Sequence, residues 1–161
     1  NTKLGFANVE FRHGDIEDIP VSSNRADVVI SNCVLNLVPD KPKAFVEIFR
    51  VLKPGGHFCV SDIVLDGELP ETIRSAAEMY AGCVAGAMQK DAYLALIHAA
   101  GFTDVKVQKE RAITLPDDIL AQYMNADDIQ TFREKGASIL SITVYANKPA
   151  SACCDPSAGC C

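Results

Sequence analysis

The run from Ala26 to Val64, ADVVISNCVLNLVPDKPKAFVEIFRVLKPGGHFCVSDIV, constrains the fold more than any other stretch of the chain. Asp27-Val28-Val29-Ile30-Ser31 has too little polarity for a half-exposed strand and suits a central parallel strand covered on both faces. Pro42 to Leu52 then places Phe45, Ile48, Phe49 and Leu52 at helical spacing, with Pro42 in the first turn and Pro54-Gly55-Gly56 as a stop. His57 to Val64 reads as the next strand. Strand, helix and strand joined by a tight return make a right-handed βαβ unit, so the expected class is α/β.

Ahead of this unit, Val9-Glu10-Phe11-Arg12-His13 alternates as a short strand and stops at the acidic loop GDIEDIP. Behind it, ETIRSAAEMYAGCVAGAM is Ala-rich and helical at first, then loosened by Gly82 and Gly86. Asp91 can cap a further helix, AYLALIHAA, which Gly101 closes. Phe102 to Lys109 alternates as a strand, Pro116 to Met124 and Asp127 to Lys135 read as short helices, and Ile139 to Ala146 is a last strand. These elements predict a mostly parallel sheet with helices on both faces and an antiparallel edge at the carboxyl end. Residues 1–149 form the structured part, and 150–161, SACCDPSAGCC, form a flexible Cys-rich tail with nothing apolar to bury. No internal repeat is present.

Charge and cysteine usage narrow the function. The chain has 161 residues with 15 basic against 21 acidic side chains, a net charge of −6, and no basic run able to track phosphates, which argues against nucleic acid as a partner. Its apolar runs are broken by charge or Gly well short of a membrane span, and NTKLGFANVEFRHGD lacks the features of a secretion signal. A soluble, cytoplasmic protein is expected. Of seven cysteines, Cys33, Cys59 and Cys83 lie in periodic sequence, while Cys153, Cys154, Cys160 and Cys161 crowd the tail. An odd count without a secretion signal favours reduced thiols over a disulfide framework. The chain opens in mid-pattern without an initiating Met and reads as a fragment.

Ligands of an open α/β sheet collect outside the carboxyl ends of its strands. Asp15-Ile16-Glu17 and Asn32-Cys33 fall at such ends. An acidic loop there can accept hydrogen bonds from an adenine amino group or a ribose, and a small polar Asn can hold a charged amino-acid portion. Read from the residues alone, Asp15 and Glu17 fit a solvated loop equally well, and Cys33 and Cys83 fit small buried hydrophobes. Cys59 reads as structural, inside its strand. His13, His57 and His98 stand at no metal-ligand spacing.

RVLKPGGHFCVSD closely resembles the post-motif of class I S-adenosylmethionine-dependent methyltransferases, and GDIEDIP and ADVVISNCVLNLVPDKPKAF are similar to that superfamily's other ligand-facing motifs, in the expected order. Within it, SNCVLNLVPDK and MYAGCVAGA resemble the arsenite methyltransferases. The resemblance implies that residues 1–149 are the C-terminal part of a Rossmann-like class I methyltransferase domain. It implies S-adenosyl-L-methionine as methyl donor, met by Gly14, Asp15, Ile16, Glu17 and Asn32. Cys33 and Cys83, fifty residues apart, become the catalytic, arsenic-holding thiols. The family's glycine-rich loop, its ribose-gripping acid and a third arsenic-binding cysteine belong before Asn1. So do two strands that the family's sheet order places between Val9–His13 and Asp27–Ser31, a gap that predicts exposed edges.

The implied substrate is arsenite or its thiol conjugates, with glutathione or thioredoxin as thiol reductant, in arsenic detoxification. Trivalent arsenic is soft and thiophilic, so cysteines from separate segments must converge on it. Its lone pair can attack an already electrophilic methyl group with no proton to remove, which fits the lack of a His–carboxylate pair. Two alternatives stand beside this reading: a methyltransferase of a small organic molecule, and a non-catalytic thiol-rich metalloid-binding protein favoured by the tail cysteines.

Overall fold

A strand of fifteen residues, Leu52–Asp66, is the spine of the sheet, pairing with a strand on each side. The structure is a computed structural model that describes residues 7–80, 82–84, 86–134 and 137–150, without the side chains of 76–80 and Cys83. The tail cysteines Cys153, Cys154, Cys160 and Cys161 lie outside the described residues. In chain order the elements are β1 (Ala26–Asn32), α1 (Lys41–Val51), β2 (Leu52–Asp66), α2 (Glu71–Tyr80), α3 (Lys90–Ala99), β3 (Thr103–Ile113), α4 (Asp117–Leu120), α5 (Ala126–Glu134) and β4 (Ser138–Asn147). Two 3-10 turns, Leu35–Leu37 and Gly82–Val84, follow β1 and α2.

The sheet order is β1-β2-β4-β3. β1 runs parallel to β2, through the α1 crossover that the βαβ pattern predicts, while β2/β4 and β4/β3 are antiparallel. The expectation of a mostly parallel sheet is therefore corrected: the described residues form one parallel pair and two antiparallel ones. β4 enters between β2 and β3, so the antiparallel part includes the spine itself. Val9–His13 is also corrected. It alternates in sequence but joins no ladder among the described residues, because pairing needs a neighbouring strand and alternation alone does not supply one.

α1 starts as its sequence dictates. The Asp40 carboxylate accepts from the Lys43 N–H at 3.0 Å, and Pro42 occupies the first turn. Its end is different from the expected Gly-stopped turn. Leu52 is already extended, and Lys53 to Gly56 lies inside β2 as an irregularity opposite β1 between Ala26 and Val28. Gly55 has φ +81°, and a Cβ on Gly56 would lie 2.9 Å from the carbonyl oxygens of Asp27 and Lys53. Both glycines are thus required by the bulge. Lys148 fastens this corner, donating from Nζ to the Phe49 and Leu52 carbonyls and to Asn24 Oδ1, each at 2.8 Å. The α1 carbonyls left without helical partners are met there, and burial lowers the Lys148 pKa.

Alternation along β2 separates two cores. Phe58, Val60 and Val64 face α1 and α3, where Phe45 meets Tyr93 edge-on at 5.5 Å and Phe58 meets Phe102 at 4.7 Å. Ile63 and Leu65 face the other way, under Ile73 of α2, Leu120 of α4 and partly buried Ile129 and Phe132 of α5. Helices do lie on both faces, but the second face is covered only at the far end of β2. Beside β1 it is bare: Val28 is 47% and Ile30 79% exposed. β1 is thus an edge strand of the described sheet, not a central strand covered on both faces, because no described element packs over those side chains.

Candidate active site

The parallel pair ends where β1 gives way to a change of direction. Cys33 follows Asn32 with φ +56°, a left-handed conformation that strains a residue bearing a Cβ, and its N–H donates to the Ser61 carbonyl at 2.8 Å. Strain of this kind persists where surroundings over-determine it and is a pointer to function. The half-buried Cys33 side chain stands at the carboxyl end of β1. The following 3-10 turn buries Leu35 completely and Asn36 almost so. Asn36 Nδ2 donates to the Ile63 carbonyl at 2.8 Å, which pins this turn to β2. The Asn36 and Val38 carbonyls accept from Lys41 Nζ at 3.3 and 3.2 Å.

The second cysteine arrives from the other side. Gly82–Val84 is a 3-10 turn whose Val84, with Ala87, is buried against Ile63 and Leu65. This turn packs on the Leu35–Leu37 turn. The contact is tightest at Gly86, where a Cβ would overlap the Asn36 carbonyl oxygen and lie 2.8 Å from its carbonyl carbon. The segments bearing Cys33 and Cys83 are therefore neighbours, although fifty residues separate them in sequence. Cys83 is described in its backbone alone.

The acidic loop is built for rigidity. Gly14 packs so closely on the Pro20 ring that a Cβ would come within 2.6 Å of Cγ. Asp15 Oδ1 accepts from the Glu17 N–H at 2.9 Å, closing a turn, and Asp15 is otherwise exposed. Ile16 is half-buried against the α1-side core. Glu17 Oε1 accepts from the Asp40 N–H at 3.0 Å, which ties the loop to the start of α1. Glu47 and Arg50 of α1 complete the tie, with Glu47 Oε2 accepting from the Ile19 N–H and Arg50 donating to the Ile19 and Val21 carbonyls. Their own pair, 2.7 Å apart, lowers the Glu47 pKa. Asn32 stands apart from this loop. It lines a hollow with Ser61, Lys109, Arg111, Ser141 and Thr143, in which Asp15 and Glu17 take no part.

The sequence leaves Asp62 open between shaping the pocket and a solvated or capping role, and the structure buries it in a polar seam. Asp62 is 1% exposed, accepts from Tyr93 Oη at 2.7 Å through Oδ2, and leaves Oδ1 without a partner. Burial pushes its pKa up to about 6, against the smaller lowering effects of the Tyr93 hydrogen bond and the Lys41 charge. Burial and the Asp62 carboxylate push the Tyr93 phenol up in turn. Ser31 Oγ and Asn36 Oδ1 are also buried without partners. One signal was legible: Asp62 sits in register with Phe58, Val60 and Val64 on an apolar face, where a carboxylate is out of place. Among the described residues, no group of three His, Cys, Asp or Glu could hold a metal ion. His57 stacks on Tyr145 at 5.0 Å, and His13 and His98 are exposed.

Residues 1–101 match a family model described as a methyltransferase domain. Over 143 residues the chain is 38% identical to the arsenite methyltransferase of Halobacterium salinarum, covering 89% of this chain and 34% of that protein. To the human arsenite methyltransferase it is 38% identical over 127 residues, 76% of this chain and 34% of that one. It spans about a third of the length of these curated relatives. The crystal structure of an arsenic(III) S-adenosylmethionine methyltransferase from Chlamydomonas reinhardtii superposes with a TM-score of 0.70 at 33% identity, over 91% of this chain and 46% of that one. The YcgJ protein of Bacillus subtilis shares the fold at a TM-score of 0.69 and 16% identity, over 93% of this chain and 75% of that one.

Proposed function

The chain belongs to the methyltransferase-domain family whose model its first 101 residues match, and from that premise we propose that it forms the arsenic-holding part of an enzyme that methylates trivalent arsenic. Its α/β, Rossmann-like architecture is that of class I methyltransferases. The observation that carries the proposal is the packing of the turn after Cys33 on the turn that contains Cys83. Two thiolates brought from separate segments are what a soft, thiophilic substrate requires. The names of the relatives, arsenite methyltransferases at 38% identity, support the same substrate.

S-adenosyl-L-methionine is the methyl donor in this reading, supplying an electrophilic sulfonium methyl that the arsenic lone pair can attack without a general base. The described residues fit its adenine end. Asp15 is exposed, and its carboxylate has a second oxygen able to accept from an exocyclic amine while Oδ1 holds the turn. Gly14 and Ile16 keep that turn in place. Glu17 likewise gives one oxygen, Oε1, to the Asp40 N–H and keeps Oε2 as an acceptor for the ligand. Asn32, exposed at the end of β1, remains open to the amino-acid portion of the donor. Cys33 and Cys83 hold and orient arsenic, and orientation of this sort can contribute up to about 7–11 kcal/mol to lowering a barrier.

A thiol reductant such as glutathione or thioredoxin belongs to this proposal, since both the substrate and its cysteines must stay reduced, and it implies a cytoplasmic setting. Among the described residues no helix is long and apolar enough to cross a membrane. The test is arsenite-dependent methyl transfer by the full-length protein. Cys33→Ser and Cys83→Ser are each expected to bring it to background while S-adenosylhomocysteine binding persists. Full turnover by either variant would overturn the proposal in favour of another methyl acceptor. Deleting Cys153 to Cys161 separates out the metalloid-binding alternative, which would lose most of its arsenite affinity where the enzyme keeps its two-thiol site.

A further inference from the structure

We infer that Gly86 is the spacer that sets the distance between the two arsenic-holding turns, through its contact with the Asn36 carbonyl. The inference rests on the reading of Cys33 and Cys83 as a joint thiol site. Gly86 lies three residues after Cys83, and Asn36 lies three residues after Cys33, so each sits at the same offset from its cysteine. The two meet backbone to backbone: a side chain at Gly86 would overlap the Asn36 carbonyl oxygen and lie 2.8 Å from its carbonyl carbon.

Glycine is needed at Gly86 for closeness. Its neighbour Gly82, on the other side of Cys83, has nothing within 4 Å of the place a Cβ would take. The two glycines flanking Cys83 thus differ in one respect, whether a methyl group would push the turns apart. The far side of the contact cannot give way easily. Asn36 is 2% exposed, its side chain is bonded to the Ile63 carbonyl, and its own carbonyl accepts from Lys41. A Cβ at Gly86 must therefore move the Cys83 turn. For a chelate in which two thiols share one arsenic atom, a displacement of about 1 Å is enough to cost on the order of a hundredfold where geometry governs the outcome.

The probe is phenylarsenoxide, a trivalent arsenical that takes two thiols, titrated into the full-length protein with Cys153, Cys154, Cys160 and Cys161 replaced by Ser. Gly86→Ala is expected to weaken its binding about tenfold or more and Gly82→Ala to leave it within about twofold. Gly86→Ala binding within about twofold of the parent, or equal weakening by both alanines, overturns the spacer role. Cys33→Ser and Cys83→Ser in the same background set the baseline. If either binds as tightly as the parent, the joint thiol site itself fails and the spacer falls with it. Bismaleimide reagents of graded length distinguish spacing from general loosening. The Cys33–Cys83 cross-linked peptide, read by mass spectrometry, should shift from the shortest reagent to longer ones in Gly86→Ala, and a yield indifferent to length would count against the inference.

Discussion

Along β1 and β2, alternate residues meet opposite surroundings. Phe58, Val60, Asp62 and Val64 face α1 and α3 and are almost wholly buried, while Val28 and Ile30, one step out of phase in the paired strand, are exposed. The strand sequences do not announce this difference, since Val28-Val29-Ile30 is apolar throughout. What differs is the supply of covering helices. Burial in a sheet belongs to the layer above it and not to the strand. The candidate site lies at the carboxyl end of this same pair, where both faces converge on the two turns. The polar members of the covered face, Asp62 and Asn36, adjoin that end.

Removing the most enclosed aromatic on the covered face should show the contrast at its largest. Phe45→Ala, at a residue 0% exposed that touches Phe58 and Tyr93, is expected to lose about 3–5 kcal/mol of stability in urea denaturation. A loss below about 1 kcal/mol would mean that this face is no better packed than the bare one.

Asp62 sharpens the comparison through pH. Its folded pKa of about 6 lies above the ordinary 3.8, so between those values the native state binds more protons than the unfolded one. Stability from this group is therefore greatest below the ordinary carboxyl value and falls as pH rises towards 6, by on the order of 3 kcal/mol. Asp62→Asn removes the titration while keeping an acceptor for the Tyr93 hydroxyl. It should be more stable than the parent at pH 7.5 by up to that amount and nearly equal to it near pH 3, below the ordinary carboxyl value. Parallel stability–pH curves for the two proteins would remove Asp62 from the account.

A smaller effect is expected at Asn36, whose side-chain bond to the Ile63 carbonyl is buried. Asn36→Ala should cost about 1–3 kcal/mol by leaving that carbonyl unpaired. It should also raise hydrogen exchange in the Leu35–Leu37 turn above that of α1, and unchanged protection there would show that the turn is held by Leu35 alone. The smallest change belongs to the bare face. Ile30→Thr, at 79% exposure, should shift stability by no more than about 0.5 kcal/mol while reducing self-association seen by sedimentation. A loss as large as that of Phe45→Ala would show that Ile30 is covered in solution.

Much of this was legible in the residues. Phe45, Ile48 and Phe49 at helical spacing behind Pro42 specify α1, because periodicity and the first-turn proline are local properties of the chain. The antiparallel pairing of β3 with β4 followed from two alternating stretches at the carboxyl end. Two things were misread and a third was left undivided for one reason, that each depends on a partner distant in sequence. Val9–His13 alternates but joins no ladder among the described residues. Pro54-Gly55-Gly56 signals a turn, yet becomes a bulge because Asp27 and Lys148 hold it against the neighbouring strands. Asp15 and Glu17 look alike in GDIEDIP, but Glu17 is tied through Oε1 to the start of α1 while Asp15 stays exposed.

The sequence by itself determined which residues could be ligands: two thiols in separate periodic segments, and a small acidic loop at the expected place. Whether the two turns that carry those thiols meet was decided by tertiary structure alone. Nothing in SNCVLNL or in AGCVAGA says that Asn36 and Gly86 touch. That contact exists because Asn36 is pinned to Ile63 from one side and Val84 is buried on the Ile63–Leu65 face from the other. Local preferences choose the shape of each turn, but the gap between two turns is set by the strand both pack upon.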